Sequence, residues 1–319
     1  MRKTFWFAVA LVLVGLIVMT VARFVSTDVR WPILVAAFSS YALLGFLVVL
    51  VTCLVLLSGM PRRPWVLLAA GLAGLGLVVQ AWSLVPLFTG DDRGKPDLTV
   101  MTSNLRFGQA DTATVLRTVA VQDVDVLVLE EVTPTALQSL RAAGLAEMLP
   151  HQRGVPVVTA AGTMVFSRYA LRSPRSFELG NVGLDVRVAA PEPFRLLAVH
   201  TAQPIVGPQR WLRDMATLRQ RASSAIEGGP TLVVGDFNAT GDHQPLRRVL
   251  DTGLRDAAEQ AGSGWQPTWP SRYASRWLRP LIAIDHVLSS PPYEAVSTRT
   301  VEVPRTDHFA LVVKLRLRL

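Results

Sequence analysis

Residues 231–240 read Thr231-Leu232-Val233-Val234-Gly235-Asp236-Phe237-Asn238-Ala239-Thr240. β-branched and aliphatic residues run into a glycine and then into an acid and an amide two positions apart. The segment therefore reads as a buried strand, Leu232 to Val234, whose end delivers Asp236 and Asn238. The same arrangement recurs on either side of it. Asn104 follows an apolar run at Leu98 to Ser103, Glu130 and Glu131 follow Val124 to Leu129, and His200 follows Phe194 to Val199. Asp285 lies within Ile282 to Leu288, and Asp307-His308 precedes Phe309 to Leu317. Met164 to Phe166 is a further short strand, and helical patterns fall at Thr112 to Val121, Thr135 to Ala143 and Pro208 to Ile226. Strands interspersed with helices predict an α/β or α+β domain over residues 97–319, large enough for a substantial core.

These polar strand ends carry the chemistry. Carboxylate and amide oxygens are hard donors that suit Mg²⁺ or Mn²⁺, and histidines beside them can exchange protons or donate to phosphate oxygens. Metal-assisted hydrolysis of a phosphoester is the reaction that fits this set.

Working back towards residue 1, the character of the chain changes. Residues 1–90 carry six Lys or Arg against one acid, Asp28, while the other 229 residues hold 26 basic and 23 acidic side chains. The net charge of +8 is thus mostly on the apolar part, which makes it a mark of membrane orientation rather than of nucleic-acid binding. Three uncharged runs, about 4–22, 33–57 and 65–88, are each long enough to span a bilayer, and Pro61-Arg62-Arg63-Pro64 breaks the last two apart. A cleaved signal peptide is the alternative for the first run, but Thr20-Val21-Ala22 is a poor cleavage site. Arg2, Lys3, Arg62 and Arg63 on one side outnumber Arg23 and Arg30 on the other. The N-terminus is therefore expected in the cytoplasm and everything after Phe88 outside it. Gln80 and the glycines Gly71, Gly74 and Gly76 are read as helix-packing residues. Gly90 to Pro96 reads as a linker, seven residues that reach at most about 25 Å. The single cysteine, Cys53, excludes a disulfide framework and a Cys-based zinc site.

Ser103-Asn104-Leu105-Arg106, Leu129-Glu130-Glu131-Val132, Val199-His200-Thr201, Gly235-Asp236-Phe237-Asn238-Ala239-Thr240, Ile284-Asp285-His286 and Thr306-Asp307-His308-Phe309 resemble, in this order, the motifs of the endonuclease/exonuclease/phosphatase superfamily. Gly-Asp-Phe-Asn is the most specific of them, and together they cover essentially all of residues 97–319. The resemblance implies a four-layer α/β sandwich of the DNase I-like kind, with a divalent metal, Mg²⁺ or Mn²⁺, at the common edge of two facing sheets. With three spans in front, the chain is similar to membrane-anchored bacterial members, including the VanJ-type teicoplanin-resistance proteins.

The resemblance also implies roles. Glu131 is expected as principal metal ligand, with Asn104 supporting it and Asp307 as a further carboxylate near the metal. Asp236 would orient or deprotonate the attacking water, and Asn238 and His200 would hold phosphate oxygens. His308 would face the scissile phosphate, positioned by Asp285. Glu130 is a departure, because the family commonly has Gln there, and this carboxylate is expected to point into solvent. Gly162 to Arg168 resembles a structural strand of the family. His151 and His243 are read as surface residues, and strand alternation points His286 away from the site.

Between Gly264 and Pro280, Trp265, Trp269, Tyr273 and Trp277 are interleaved with Arg272, Arg276 and Arg279, and no acid interrupts them. Such a segment can stack on bases, lie at lipid headgroups and grip an anionic substrate, or form a solvated loop; the membrane anchor favours headgroups over bases. The expected function is a membrane-anchored, metal-dependent phosphohydrolase of the cell envelope acting on a lipid-linked phosphoester or pyrophosphate. The alternatives are a membrane-anchored nuclease and a non-catalytic membrane binding protein. Every expected polar position is present, which argues against the last.

Overall fold

The computed structural model describes residues 2–59, 63–90, 94–271 and 279–318. It divides into two units, Met1–Pro86 with Asp242–Gln244, and Leu87–Gly241 with Pro245–Leu319.

In the first unit, helices α1 (Arg2–Ala22), α2 (Arg30–Ala37), α3 (Ala42–Gly59) and α4 (Pro64–Leu84) follow one another. Three stretches are long and apolar enough to cross a membrane: Thr4–Ala22, Ser39–Ser58 and Pro64–Phe88. The second is shorter at its start than the uncharged run 33–57, because α2 ends at Ala37 and a turn of 3-10 helix intervenes at Ser39–Tyr41. The Ser40 amide and hydroxyl there donate to Asp242 Oδ2, at 3.0 and 2.6 Å. Leu13, Leu16, Phe46, Val49, Cys53, Val66 and Ala69 form the packed centre of this unit. Gly76 makes room for the Phe46 ring, and buried Gln80 donates from Nε2 to Thr20 Oγ1 at 3.0 Å, so both serve helix packing; nothing lies against Gly71 or Gly74. His243 is buried here rather than on the surface, with Nε2 3.0 Å from the Ile33 carbonyl oxygen.

The second unit contains two six-stranded sheets. Its strands are β1 (Leu98–Asn104), β2 (Val126–Glu130), β3 (His151–Gly154), β4 (Met164–Ser167), β5 (Leu171–Glu178), β6 (Val182–Val188), β7 (Phe194–His200), β8 (Thr231–Asp236), β9 (Arg255–Asp256), β10 (Asp285–Ser289), β11 (Tyr293–Glu302) and β12 (Phe309–Leu317). One sheet has the order β11-β12-β1-β2-β4-β3 and the other β5-β6-β7-β8-β10-β9. Helices α5 (Thr112–Gln122), α6 (Pro134–Ala142) and α7 (Leu145–Met148) cover the first sheet. Helix α8 (Pro208–Glu227) buries Trp211, Met215, Leu218 and Ala222, and the short helices α9 (Gln244–Leu250) and α10 (Ala257–Ala261) complete the chain. The fold is the four-layer DNase I-like sandwich.

Parity along the strands explains what lies between the sheets. Leu98 and Val100 of β1, Val126 and Val128 of β2, Leu196 and Ala198 of β7, Leu232 and Val234 of β8, and Val287 of β10 all enter one core shared by both sheets. Met101, Leu127 and Leu129, of the opposite parity, pack under the helices. Continuing each inter-sheet row by two residues reaches Glu130, His200 and Asp236, and stepping back two from Val287 reaches Asp285. The strand order then sets these tips side by side, Asn104 opposite Glu130, His200 opposite Asp236, and Asp236 opposite Asp285.

The stretch 90–96 is held at both ends. The Gly264 amide donates to the Leu87 carbonyl at 2.7 Å, Gly90 lies so close to Gly262 that a Cβ would have no room, and the Asp97 amide donates to the Leu315 carbonyl at 2.8 Å. Residues 91–93 lie outside the described part.

Candidate active site

Two glycines permit the strand ends to approach. Gly235, at φ +142°, could not carry a Cβ, which would fall 2.0 Å from the Val199 carbonyl oxygen; Gly162 is held as tightly against Val132. Non-glycine residues with positive φ gather at the same edge: Arg106, Phe107, Glu131, Asn238 and Arg305. Such conformations cost of order 1 kcal/mol or more each and persist where surrounding bonds over-determine them. At Glu131 (φ 57°) the turn lets a residue of the wrong parity reach the site. Its Oε2 accepts the Phe107 amide at 2.7 Å, and its Oε1 lies 3.2 Å from Asn104 Nδ2. At Asn238 (φ 47°) the backbone amide donates to Asp236 Oδ1 at 2.8 Å, and Nδ2 donates to the Thr201 carbonyl at 3.1 Å.

Asp236 is the hub. Its Oδ2 lies 3.2 Å from Asn104 Nδ2, 3.6 Å from His200 Nε2 and 3.8 Å from His308 Nε2. His308 Nδ1 meets Asp285 Oδ2 at 2.9 Å, the arrangement in which a carboxylate orients an imidazole. His200 Nδ1 lies 3.1 Å from the Ala160 carbonyl, which fixes it as the donor and leaves Nε2 facing Asp236 and, at 4.0 Å, Glu131. Burial, then the charge of Asp285, raises the Asp236 carboxyl from 3.8 to about 7. Burial works against a charged His308, but Asp285 and Asp236 outweigh it and raise that imidazole to about 10. Burial lowers His200, against the pull of Glu131. The site thus pairs a cationic His308 with an acid that titrates near neutrality.

Six of the expected residues, Asn104, Glu131, His200, Asp236, Asp285 and His308, therefore share one edge, with Asn238 bonded into it. Asp307 turns aside: it is 3.8 Å from Arg106 Nε, and Trp269 Nε1 donates to it at 3.4 Å. Arg279 is exposed, whereas Arg272, Arg276, Tyr273 and Trp277 lie outside the described residues. His286 faces away, between Asp256 Oδ2 at 2.6 Å and the Ala239 carbonyl at 2.8 Å. Glu130 is the clear departure from expectation. It is fully buried rather than solvated, because it occupies the inter-sheet parity of Val126 and Val128. Its Oε1 accepts from Thr102 Oγ1 at 2.8 Å, its Oε2 has no partner, and burial followed by the charge of Asp285 pushes its carboxyl well above the usual range.

Carboxylate oxygens of Asp236 and Asp285 and a ring nitrogen of His308 lie within 4.8 Å of one another. Among the described residues Asp285 Oδ1 is buried without a partner. Clustered hard oxygens with unspent negative charge fit a divalent cation. Asn104 presents its Nδ2 to the carboxylates, while its Oδ1 accepts the Arg106 amide at 2.8 Å.

Several supports were not visible as motifs. Asp214 sits on the buried stripe of α8, and its Oδ2 accepts the Gly180 and Ala202 amides, both at 2.7 Å, which orders the chain after His200. An acid in register with Trp211 and Leu218 was the available signal. Thr268 Oγ1 accepts the Ile284 and Asp285 amides at 3.1 and 3.3 Å. Thr306 Oγ1 donates to the Asn104 carbonyl at 2.8 Å, joining the loop before His308 to the end of β1.

The family model described as endonuclease/exonuclease/phosphatase family matches residues 101–308, which span all of these positions. The chain belongs to that family. No curated protein matches it by sequence. Among solved structures, the family chain is similar to a mannosyl-6-phosphatase from Bacteroides thetaiotaomicron, at 17% identity and a TM-score of 0.54, covering 69% of this chain and 100% of that one. It is also similar to truncated TDP2 from Caenorhabditis elegans, at 17% identity and a TM-score of 0.58, covering 68% and 96%. D. rerio TDP2 complexed with a single-strand DNA product matches at 15% identity and a TM-score of 0.56, covering 69% and 98%. At such identities the likeness establishes the fold, and members of the family are phosphoesterases and nucleases.

Proposed function

We propose that the chain is a membrane-anchored phosphohydrolase that uses a divalent metal, Mg²⁺ or Mn²⁺, outside the cytoplasm on a phosphoester or pyrophosphate of a lipid-linked cell-envelope molecule. The observation that carries this reading is one chain holding both three apolar spans and a buried Asp236–Asp285–His308 cluster. Anchoring adds nothing for a freely diffusing metabolite but concentrates the enzyme beside an amphiphile. The similarity to VanJ-type members makes polyprenyl pyrophosphate carriers the leading candidates and links the protein to glycopeptide resistance.

In this reading Asp236 takes the proton of the attacking water. His308, oriented by Asp285, donates Nε2–H to a phosphate oxygen, and Asn238 and, once protonated at Nε2, His200 hold the remaining oxygens. Glu131 would hold the metal with Asn104, after its amide turns over, and Asp307 would join them only by leaving Arg106 and Trp269. Bound there, the metal would draw charge from the phosphate oxygens. Arg272, Arg276 and Arg279 would meet headgroup or substrate phosphates.

The full-length protein in detergent, offered a lipid pyrophosphate, a short soluble phosphoester and DNA, is expected to prefer the lipid and to stop in EDTA. Preference for DNA with a steep inverse dependence on salt would transfer the site to a nuclease, and full activity in EDTA would end the metal mechanism. A reporter that works only after export, fused after Leu319, is expected to be active. Activity only from a cytoplasmic reporter would reverse the orientation.

A further inference from the structure

Among the described residues of the second unit, nine large apolar side chains are exposed. Three of them, Phe88, Val121 and Trp265, lie elsewhere; the other six are Phe107, Val155, Val158, Val182, Ile205 and Val206. Each of these six belongs to a segment bonded directly to the catalytic edge. Phe107 gives its amide to Glu131. Val155 and Val158 flank Val157, whose amide donates to the Val132 carbonyl at 2.9 Å, and the same loop supplies the Ala160 carbonyl to His200. Val182 follows Asn181, whose amide donates to the His200 carbonyl at 3.3 Å. Ile205 and Val206 lie on the loop that leaves Thr201, the residue whose carbonyl receives Asn238.

We propose that these six side chains form an apolar rim that rests in the hydrocarbon boundary of the bilayer, so that a phosphate headgroup enters the polar floor from the lipid side. The proposal deepens the lipid-linked reading above and rests on it. Single exposed apolar residues are ordinary, but six of nine on segments bonded to one polar site mark an interaction surface. A bilayer is the occupant favoured because the same chain carries three helices able to span one. The matching is chemical as well. Buried carboxylates that would hold a metal, and imidazoles, form the floor for a phosphate, and aliphatic residues form the rim for the first carbons of a tail. A water-soluble polyanion would call for a basic rim instead.

The test uses the full-length protein in a Cys53→Ala background, reconstituted into vesicles. Val158→Cys, Ile205→Cys and, as a control, Val121→Cys each carry an environment-sensitive fluorophore. Val121 is exposed near the far end of α5, about 14 Å along the helix from Thr112 at its start. All three positions are at the surface, so the fold tolerates them. The expected result is a blue shift at positions 158 and 205 and loss of their emission when lipids with brominated acyl chains are introduced, with neither at 121. No loss at 158 and 205, or equal loss at all three, overturns the rim. Hydrolysis of a lipid pyrophosphate with an unquenched rim would leave the function standing and remove this inference. A quenched rim with preference for DNA would do the reverse.

Discussion

Replacing His308 by alanine is expected to lower turnover by about 10²-fold or more and to leave the domain folded, the usual cost of removing a positioned proton donor. The ring bonds to Asp285 through Nδ1 and faces Asp236 through Nε2, so nothing in the apolar core depends on it. The cost to stability is the uncompensated Asp285 carboxylate, about 1–3 kcal/mol. Asp236→Asn is expected to fall as far, because it keeps Oδ1 as an acceptor for the Asn238 amide but removes the base. Asp285→Asn keeps the shape beside His308 and removes the charge, so His308 should fall back towards the ordinary histidine range. Turnover of the preferred substrate at saturating metal, measured beside a thermal unfolding curve in detergent, separates loss of chemistry from loss of fold. Unchanged turnover in the His308 variant would remove it from the mechanism.

Glu130→Gln is expected to stabilise the protein by an amount that grows with pH. The folded protein holds this carboxyl well above its ordinary 4.5, whereas the unfolded chain releases the proton near that value. Above about pH 4.5 the unfolded state therefore binds fewer protons, and each further pH unit costs the folded state about 1.4 kcal/mol until the folded pKa is reached. The carboxyl's favourable contribution is fully present below that range and is lost as pH rises. Glutamine has no proton to lose, keeps an oxygen for Thr102, and occupies the same volume. Thermal midpoints of wild type and variant should coincide near pH 4 and separate as pH rises above it. Parallel curves over that range would show Glu130 ionised in the folded protein, and a lower midpoint for the variant at pH 8 would show it needed as a carboxylate.

Much of the site was legible as strand tips. His200, Asp236 and Asp285 stand where alternating apolar positions predict an inward-facing residue, and His286 fell outside the site for the same reason. Glu130 was equally legible as an inward-facing residue, since it continues the row of Val126 and Val128. Asn104 was placed correctly on β1, yet its amide orientation depends on Glu131 and Asp236, which are 27 and 132 residues away in the chain. Strands β3, β5, β6, β9 and β11 were missed: β3 and β9 are only four and two residues long, β5 has an almost wholly exposed middle, Asp185 and Arg187 interrupt the apolar pattern of β6, and β11 alternates weakly among polar residues at a sheet edge.

The sequence by itself determined three apolar stretches, the positions of the strands that carry the candidate site, and the side chain that each delivers at its end. These are properties of local periodicity, which a chain carries wherever it goes. Tertiary structure alone decided that β8 lies between β7 and β10, and thereby that Asp236 meets both His200 and Asp285. It also decided that the backbone at Glu131 turns through positive φ to bring an outward residue inward, and that Asp307 pairs with Arg106. Strand order and register arise from pairings between distant segments, and those pairings leave no period within either segment for the sequence to display.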